Sequence, residues 1–210
     1  MIKNNFRIKQ KSKMHLKLKY QYKRDFLVFR EIMKILNLYK NCKNILIYIP
    51  LKYEINLYKF RHFLTKKYQI FVPFMQDKSL KVVKLRLTLE KKSFGVYEPK
   101  DSFLQTRIDV AIIPVIGVDA KLGRIGHGQG FYDRFFESIS YKKPLVIFTQ
   151  MIDAKSDQFF SQDHDIKGNF YINPYKKYFR KVKNNDRNIS RINSRFYRRR
   201  DWVYSRKKDQ

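Results

Sequence analysis

Apolar residues recur along this chain with two different periods. Phe26, Leu27, Phe29, Ile32, Met33, Ile35 and Leu36 are spaced by three and four among charged residues. No Pro or Gly interrupts residues 12–39, so this stretch predicts an amphipathic helix. Asn44 to Pro50 then encloses Ile-Leu-Ile-Tyr-Ile, a short continuous apolar run of the kind found in a strand buried on both faces. Leu57, Phe60, Phe63 and Leu64 return to helical spacing, and Gln69 to Phe74 supplies the next strand. Residues 80–89 mix an apolar pair with strict alternation, as expected of strands with one solvated face. Arg107 to Pro114 is again largely apolar and leads by a short turn into a glycine-rich stretch. Beyond it, Phe131 to Ile139 predicts a helix, Pro144 to Phe148 a strand and Phe170 to Ile172 a short final strand.

Strands alternating with helices imply an α/β fold: a mainly parallel sheet with helices on both faces, forming a Rossmann-like three-layer single domain. Ligands of such sheets sit at the carboxyl ends of the strands. The glycine stretch after strand 107–114 and Glu54 after strand 44–50 both fall there.

Residues 124–134 read Arg-Ile-Gly-His-Gly-Gln-Gly-Phe-Tyr-Asp-Arg. Alternating glycines at 126, 128 and 130 let the backbone approach a ligand without an intervening Cβ. Their amides, at the start of a helix, can form an anion-binding concavity, bracketed by Arg124 and Arg134. The spacing matches neither the dinucleotide fingerprint nor the Walker loop.

The flanks carry a more specific signal. Asp109, Pro114 and Asp119 precede Arg124–Arg134, and Lys3-x-x-x-Arg7, Pro50-Leu51-x-x-Glu54, Gly95-x-x-Glu98-Pro99 and His164-Asp165 occur around them. This order resembles the 5-formyltetrahydrofolate cyclo-ligase (methenyltetrahydrofolate synthetase) family over about residues 1–173. The resemblance implies ATP- and Mg²⁺-dependent conversion of 5-formyltetrahydrofolate to 5,10-methenyltetrahydrofolate. Phosphorylating the formyl oxygen would turn a poor leaving group into phosphate, so the protein must position the γ-phosphate and neutralise charge.

Carried over residue by residue, the resemblance gives catalytic roles to Arg124, Asp133 and Arg134. It places the nucleotide on Lys3, Arg7, Arg124 and the loop Ile125, Gly126, His127, Gly128, Gln129, Gly130, with Phe131 and Tyr132 beyond it. Folate contacts fall to Ile49, Glu54, His127 and Phe131, and Mg²⁺ to Asp133 and Asp165. The chain departs from the family at Pro114-Val115 and Gly117-Val118-Asp119, where Pro-Gly and an Ala-Phe-Asp turn are usual. The missing Phe removes an aromatic wall expected near the folate, and Val115 replaces a small residue.

Charge changes the picture at the two ends. The 210 residues hold 47 Lys and Arg against 18 Asp and Glu, a formal +29. Residues 1–40 carry 12 basic and 2 acidic side chains and residues 175–210 carry 14 and 3. From about Pro174 the chain is Arg-rich with interleaved aromatics and few aliphatic residues, so the catalytic domain is expected to span 1–173 and a mobile or partner-folded basic extension 174–210. Such a field attracts polyanions. The competing reading is therefore a nucleic-acid-binding protein that uses both basic ends, with tail aromatics stacking on bases. The single Cys42 cannot form an internal disulfide, which fits a reducing compartment. No stretch approaches the ~18 apolar residues of a membrane span, no secretory signal is evident, and a cytoplasmic location is expected.

Overall fold

The computed structural model of the protein describes residues 2–16, 20–40, 42–76, 79–86, 89–91, 97–99, 106–162, 165–180, 192, 194–195 and 202–204. Gly95, His164 and the Arg198–Arg200 run lie outside the described residues. The helices are α1 (Ile2–His15), α2 (Gln21–Leu38), α3 (Arg61–Thr65, entered through a 3-10 turn at Leu57–Phe60) and α4 (Phe131–Ser138). The strands are β1 (Asn44–Leu46), β2 (Gln69–Gln76), β3 (Ser79–Lys84), β4 (Leu89–Lys91), β5 (Tyr97–Pro99) and β6 (Val110–Pro114). They continue with β7 (Gly117–Val118), β8 (Arg124–Ile125), β9 (Leu145–Thr149), β10 (Phe170–Ile172), β11 (Lys177–Phe179) and β12 (Trp202–Tyr204).

Eight strands form the main sheet in the order β12-β11-β10-β9-β6-β1-β2-β3. The central β10, β9, β6, β1 and β2 run parallel, whereas β3 and β11 pair antiparallel with β2 and β10. β4 pairs with β5 and β7 with β8 in two small ribbons. Alternation along each strand distributes the side chains between two cores. Ile45, Ile70, Val72, Val110, Ile112 and Ile147 pack with Val28, Ile32, Ile35 and Leu36 of α2 and with Phe60 and Leu64. Leu46, Phe71, Ala111, Ile113, Val146 and Phe148 pack on the other face with Phe136 of α4. Helices thus cover both faces, as the α/β reading required.

Three expectations need correction. The single helix expected within 12–39 is two, broken near Tyr20, whose backbone is left-handed at φ 60. The new helix, α1, escapes hydrophobic periodicity because its inward side mixes Phe6 and the buried Met14 with Lys3, Arg7, Gln10 and Lys11. Strand 44–50 ends its ladder at Leu46, although the Ile47 amide still donates to the Phe71 carbonyl at 2.9 Å.

The third correction concerns the boundary at 173. β11 continues the sheet with Phe170 opposite Phe179 and Tyr171 opposite Tyr178, and β12 pairs with β11 in turn. Tyr178 and Phe179 are buried, as is Ile192. Aromatic rings supply the burial that the scarcity of aliphatic residues argued against. Tyr178 also donates from its hydroxyl to Asp153 Oδ2 at 2.9 Å, and both rings are therefore removed from any role in stacking on bases.

Candidate functional site

The parallel strands deliver their carboxyl ends to two adjoining clefts that share Arg124 and Gly130. One is polar, about 270 Å³, and is lined by Lys3, Arg7, Arg124, Gly126, Gly128, Asp133, Arg134, Glu137 and Asp165. The other, about 380 Å³, is mainly apolar, with Tyr48, Ile49, Tyr53, Met75, Tyr97, Phe131 and Tyr132 around Glu54, His127 and Lys11. A charged compartment against an aromatic one suits a ligand pair with phosphate on one side and a flat ring on the other.

α1 supplies the cations from below. Lys3, Arg7 and Lys11 lie four residues apart, so one helical face points them successively along both clefts. Lys3 Nζ pairs with Asp165 Oδ2 at 2.8 Å, and Arg7 Nε donates to the Gly126 carbonyl at 2.8 Å. The helix is anchored behind them by Met14, fully buried and within 3.4 Å of Gln150 Nε2.

The loop conformation explains its glycines. Gly128 and Gly130 take φ of 107 and 69, which favours glycine over residues with a Cβ. Gly126 is required by proximity, since a Cβ there would lie 2.5 Å from Arg124 Nη1. Gly130 is the N-cap of α4 without a side-chain cap, leaving helix-terminal amides and the positive end of the dipole at the cleft.

Arg124 holds the centre. Its Nη1 donates to Asp133 Oδ2 at 3.0 Å, its side chain is 8% exposed, and its guanidinium lies over the Tyr132 ring at 5.0 Å. Its Nε is buried without a hydrogen-bond partner among the described residues. Burial pushes the Tyr132 phenol well above its ordinary range, against the opposing pull of Arg124, so this ring acts as a neutral wall. Arg134 is exposed and donates to the Gln129 carbonyl at 2.8 Å.

On the apolar side, Glu54 is buried. Its Oε2 accepts from the Leu51 amide at 2.9 Å, while its own amide donates to the Leu51 carbonyl at 3.0 Å. The Pro50-Leu51-x-x-Glu54 spacing is thus a self-capped turn that fixes one carboxylate oxygen. The other, Oε1, lies 3.6 Å from His127 Nε2.

Most expected site residues converge on these clefts. Ile125 does not: it is fully buried, lines neither cleft, and its carbonyl accepts from the Ile116 amide. Val115, which stands where a small residue is usual, lines neither cleft and is buried in the core cluster that includes Leu122 and Phe148. Glu137, Lys11, Tyr48, Tyr53 and Tyr97 line the clefts without having been anticipated. The four-residue step from Lys3 through Arg7 could have found Lys11. Nothing local signals Tyr97, which arrives on the separate β4–β5 ribbon.

Two signature carboxylates prove structural. Asp109 Oδ2 accepts from the Lys43 and Asn44 amides, both at 2.9 Å, tying the start of β1 to that of β6. Asp119 is fully buried; its Oδ1 accepts from the Gly123 and Lys121 amides and its Oδ2 from those of Ser161 and Phe160. Burial opposes its charge, but hydrogen bonds from the Ser161 hydroxyl and these amides hold its carboxyl below the ordinary value.

An open, mostly parallel sheet covered on both faces, with its glycine loop at the strands' carboxyl ends, defines an α/β protein of the doubly wound class. Residues 7–164 match the model of the 5-formyltetrahydrofolate cyclo-ligase family. The chain belongs to that family. A 5-formyltetrahydrofolate cyclo-ligase of Mycoplasma pneumoniae is 23% identical over 104 residues, 50% of this chain and 57% of that protein. The mouse protein of the same name is 26% identical over 148 residues, 62% of this chain and 73% of its own. The matched segments thus span about half the length of the Mycoplasma relative and about three quarters of the mouse one. The structure of Aquifex aeolicus 5,10-methenyltetrahydrofolate synthetase superposes with a TM-score of 0.71 at 19% identity, covering 89% of this chain and 99% of that one. The Mycoplasma pneumoniae synthetase superposes with a TM-score of 0.63 at 21% identity, covering 82% and 98%. At these identities the superpositions establish the shared fold. Among the described residues, no helix is long and apolar enough to cross a membrane.

Proposed function

We propose that the protein catalyses the ATP-dependent cyclisation of 5-formyltetrahydrofolate to 5,10-methenyltetrahydrofolate. The observation that carries this reading is the pair of clefts meeting at Arg124 and Gly130, one cationic and one aromatic. The family membership supplies the reaction. Bound Mg-ATP would supply the phosphoryl group that makes the formyl oxygen leave as phosphate, while the neighbouring folate nitrogen closes the ring.

In this reading the polar cleft receives the phosphates. Lys3, Arg7 and Arg124 bind them, and Arg124 Nε, without a partner among the described residues, offers a buried donor to an anion. Asp133 and Asp165 fit a hard cation shared with phosphate oxygens, because both are carboxylates lining the same cleft. Each is neutralised by a cation of the protein, Arg124 or Lys3. Rearrangement of these two pairs would release carboxylate oxygens for the metal and cations for the phosphates.

Glu54 orients the pterin with the oxygen not committed to Leu51. Ile49, Phe131 and Tyr132 exclude water from the reacting groups, which strengthens the electrostatics of the transfer. Arg134 closes the exposed edge of the polar cleft. None of the described features favours nucleic acid over this reading.

Purified protein given 5-formyltetrahydrofolate and Mg-ATP is expected to generate the absorbance of the methenyl product, with one ADP released per turnover. ATP hydrolysis without product absorbance would refute the proposal.

A further inference from the structure

His127 stands between the two clefts: it lines the aromatic one, and its chain neighbours Gly126 and Gly128 line the polar one. Its backbone lies between Gly126, whose carbonyl receives Arg7 Nε, and Gly128 at φ 107. Its side chain turns away from the polar cleft and lines the aromatic one. There Nε2 stands 3.6 Å from Glu54 Oε1, and the imidazole meets the Tyr53 ring at a centroid distance of 6.0 Å. Tyr53 in turn meets His15 at 5.1 Å, the last residue of α1.

Three segments are therefore joined by side chains: the phosphate loop, the Leu51–Glu54 turn that walls the aromatic cleft, and the helix carrying Lys3 and Arg7. The loop cannot shift toward a phosphate without moving the imidazole relative to Glu54, and the turn cannot adjust to a ring without moving Tyr53 between two histidines. We infer that His127 is a positioning residue that couples the two clefts, so that filling the aromatic cleft raises the affinity of the polar cleft for nucleoside triphosphate, and the reverse.

The physical basis is a shared ordering cost. At 3.6 Å the His127–Glu54 pair is slightly longer than a hydrogen bond. A ligand that fixes Glu54 holds one partner in place, so less freedom remains to be lost when the loop closes on phosphate. Linkage then requires the two ligands to strengthen each other by the same factor. The benefit is that the nucleotide is held most tightly when an acceptor is present, which disfavours unproductive hydrolysis.

This inference rests on the proposed function, and the test separates the two. Calorimetry would measure the affinity of the full chain for a non-hydrolysable ATP analogue with Mg²⁺, with and without saturating 5-formyltetrahydrofolate. The readout is the ratio of the two affinities, which a merely structural role for His127 would not move. The parent is expected to show a ratio of at least about fivefold, the lower end of ordinary coupling. His127→Ala should bring the ratio close to one, and His127→Gln, whose amide can still donate to Glu54, should restore part of it. Circular dichroism of each variant checks that it folds. A parent that cyclises folate but shows no ratio, or an alanine variant that keeps the parental ratio, overturns the coupling alone. A parent that binds no folate overturns both the coupling and the proposed function.

Discussion

At the scale of single residues, Gly126 and Gly128 of the loop are constrained for different reasons, and substitutions should separate them. At Gly126 a Cβ would press on the Arg124 guanidinium, 2.5 Å from Nη1, which is held by Asp133 in a buried setting. Gly126→Ala should dislodge this contact and weaken nucleotide binding by about tenfold, the worth of one charge-assisted hydrogen bond. At Gly128 the nearest atom is Arg7 Cζ at 3.9 Å, so room exists and the obstacle is the backbone. Gly128→Val should cost about 1–3 kcal/mol of strain and distort the amide cradle, again read as lost nucleotide affinity. Calorimetry showing parental affinity in either folded variant would remove that glycine from the site. Asp133→Asn removes the charged partner of Arg124 and, in the proposed reaction, an oxygen for the metal. Turnover should fall by at least about tenfold, with parental turnover at limiting Mg²⁺ as the contrary result.

At the scale of elements, the turn that presents the glycine loop depends on one buried carboxylate. The Asp119 carboxylate accepts four backbone amides, those of Lys121, Gly123, Phe160 and Ser161, and its carboxyl is held below the ordinary value. A depressed folded-state pKa means the unfolded chain takes up the proton first. The stability it contributes is therefore complete above the unfolded value of about 3.9 and disappears as pH falls through the lower folded value. Asp119→Asn should lower the stability near neutral pH by about 3 kcal/mol, because charged hydrogen bonds are lost and one amide donor meets amides instead of an acceptor. The parent should lose stability more steeply than the variant as the pH drops through the acid range. Parallel curves of melting temperature against pH would contradict this. Cys42 offers no comparable handle: burial, helped by Asp109, pushes its thiol up to about 12, so it should stay unreactive toward mild alkylating agents in the folded state.

At the scale of the whole molecule, the end of the chain contributes to the fold. Ending it after Asn173 would remove Tyr178, Phe179 and Ile192 from the cores they complete and expose the edge of β10. At about 1.5–3 kcal/mol for each buried side chain, the loss is at least about 5 kcal/mol. With about 2–4 °C per kcal/mol for a chain of this size, the melting temperature should fall by at least about 10 °C. A truncated chain that melts with the parent would restore the boundary at 173. Basic charge beyond that point is thus compatible with a structural role for its aromatics, and the size of a segment's charge does not by itself show whether it packs.

The pattern of residues determined the α/β class, most strands and the location of the glycine loop, because these follow from local periodicity and from the conformational freedom of glycine. Ile45, Ile112 and Ile147 report burial in the chain itself, and so does the alternation that divides them from Leu46, Ala111 and Phe148. Tertiary structure decided what periodicity could not express. α1 docks against the loop and Gln150, and Lys3, Arg7, Gln10 and Lys11 interrupt the apolar stripe of Phe6 and Met14 that would have announced it. Tyr178 and Phe179 pair with β10, their neighbour in sequence, which becomes a sheet edge only by pairing with β9 more than twenty residues earlier. Lys11, Tyr97 and the approach of His127 to Glu54 each join segments that are distant along the chain, and only the closing of the sheet brings them within reach of one another.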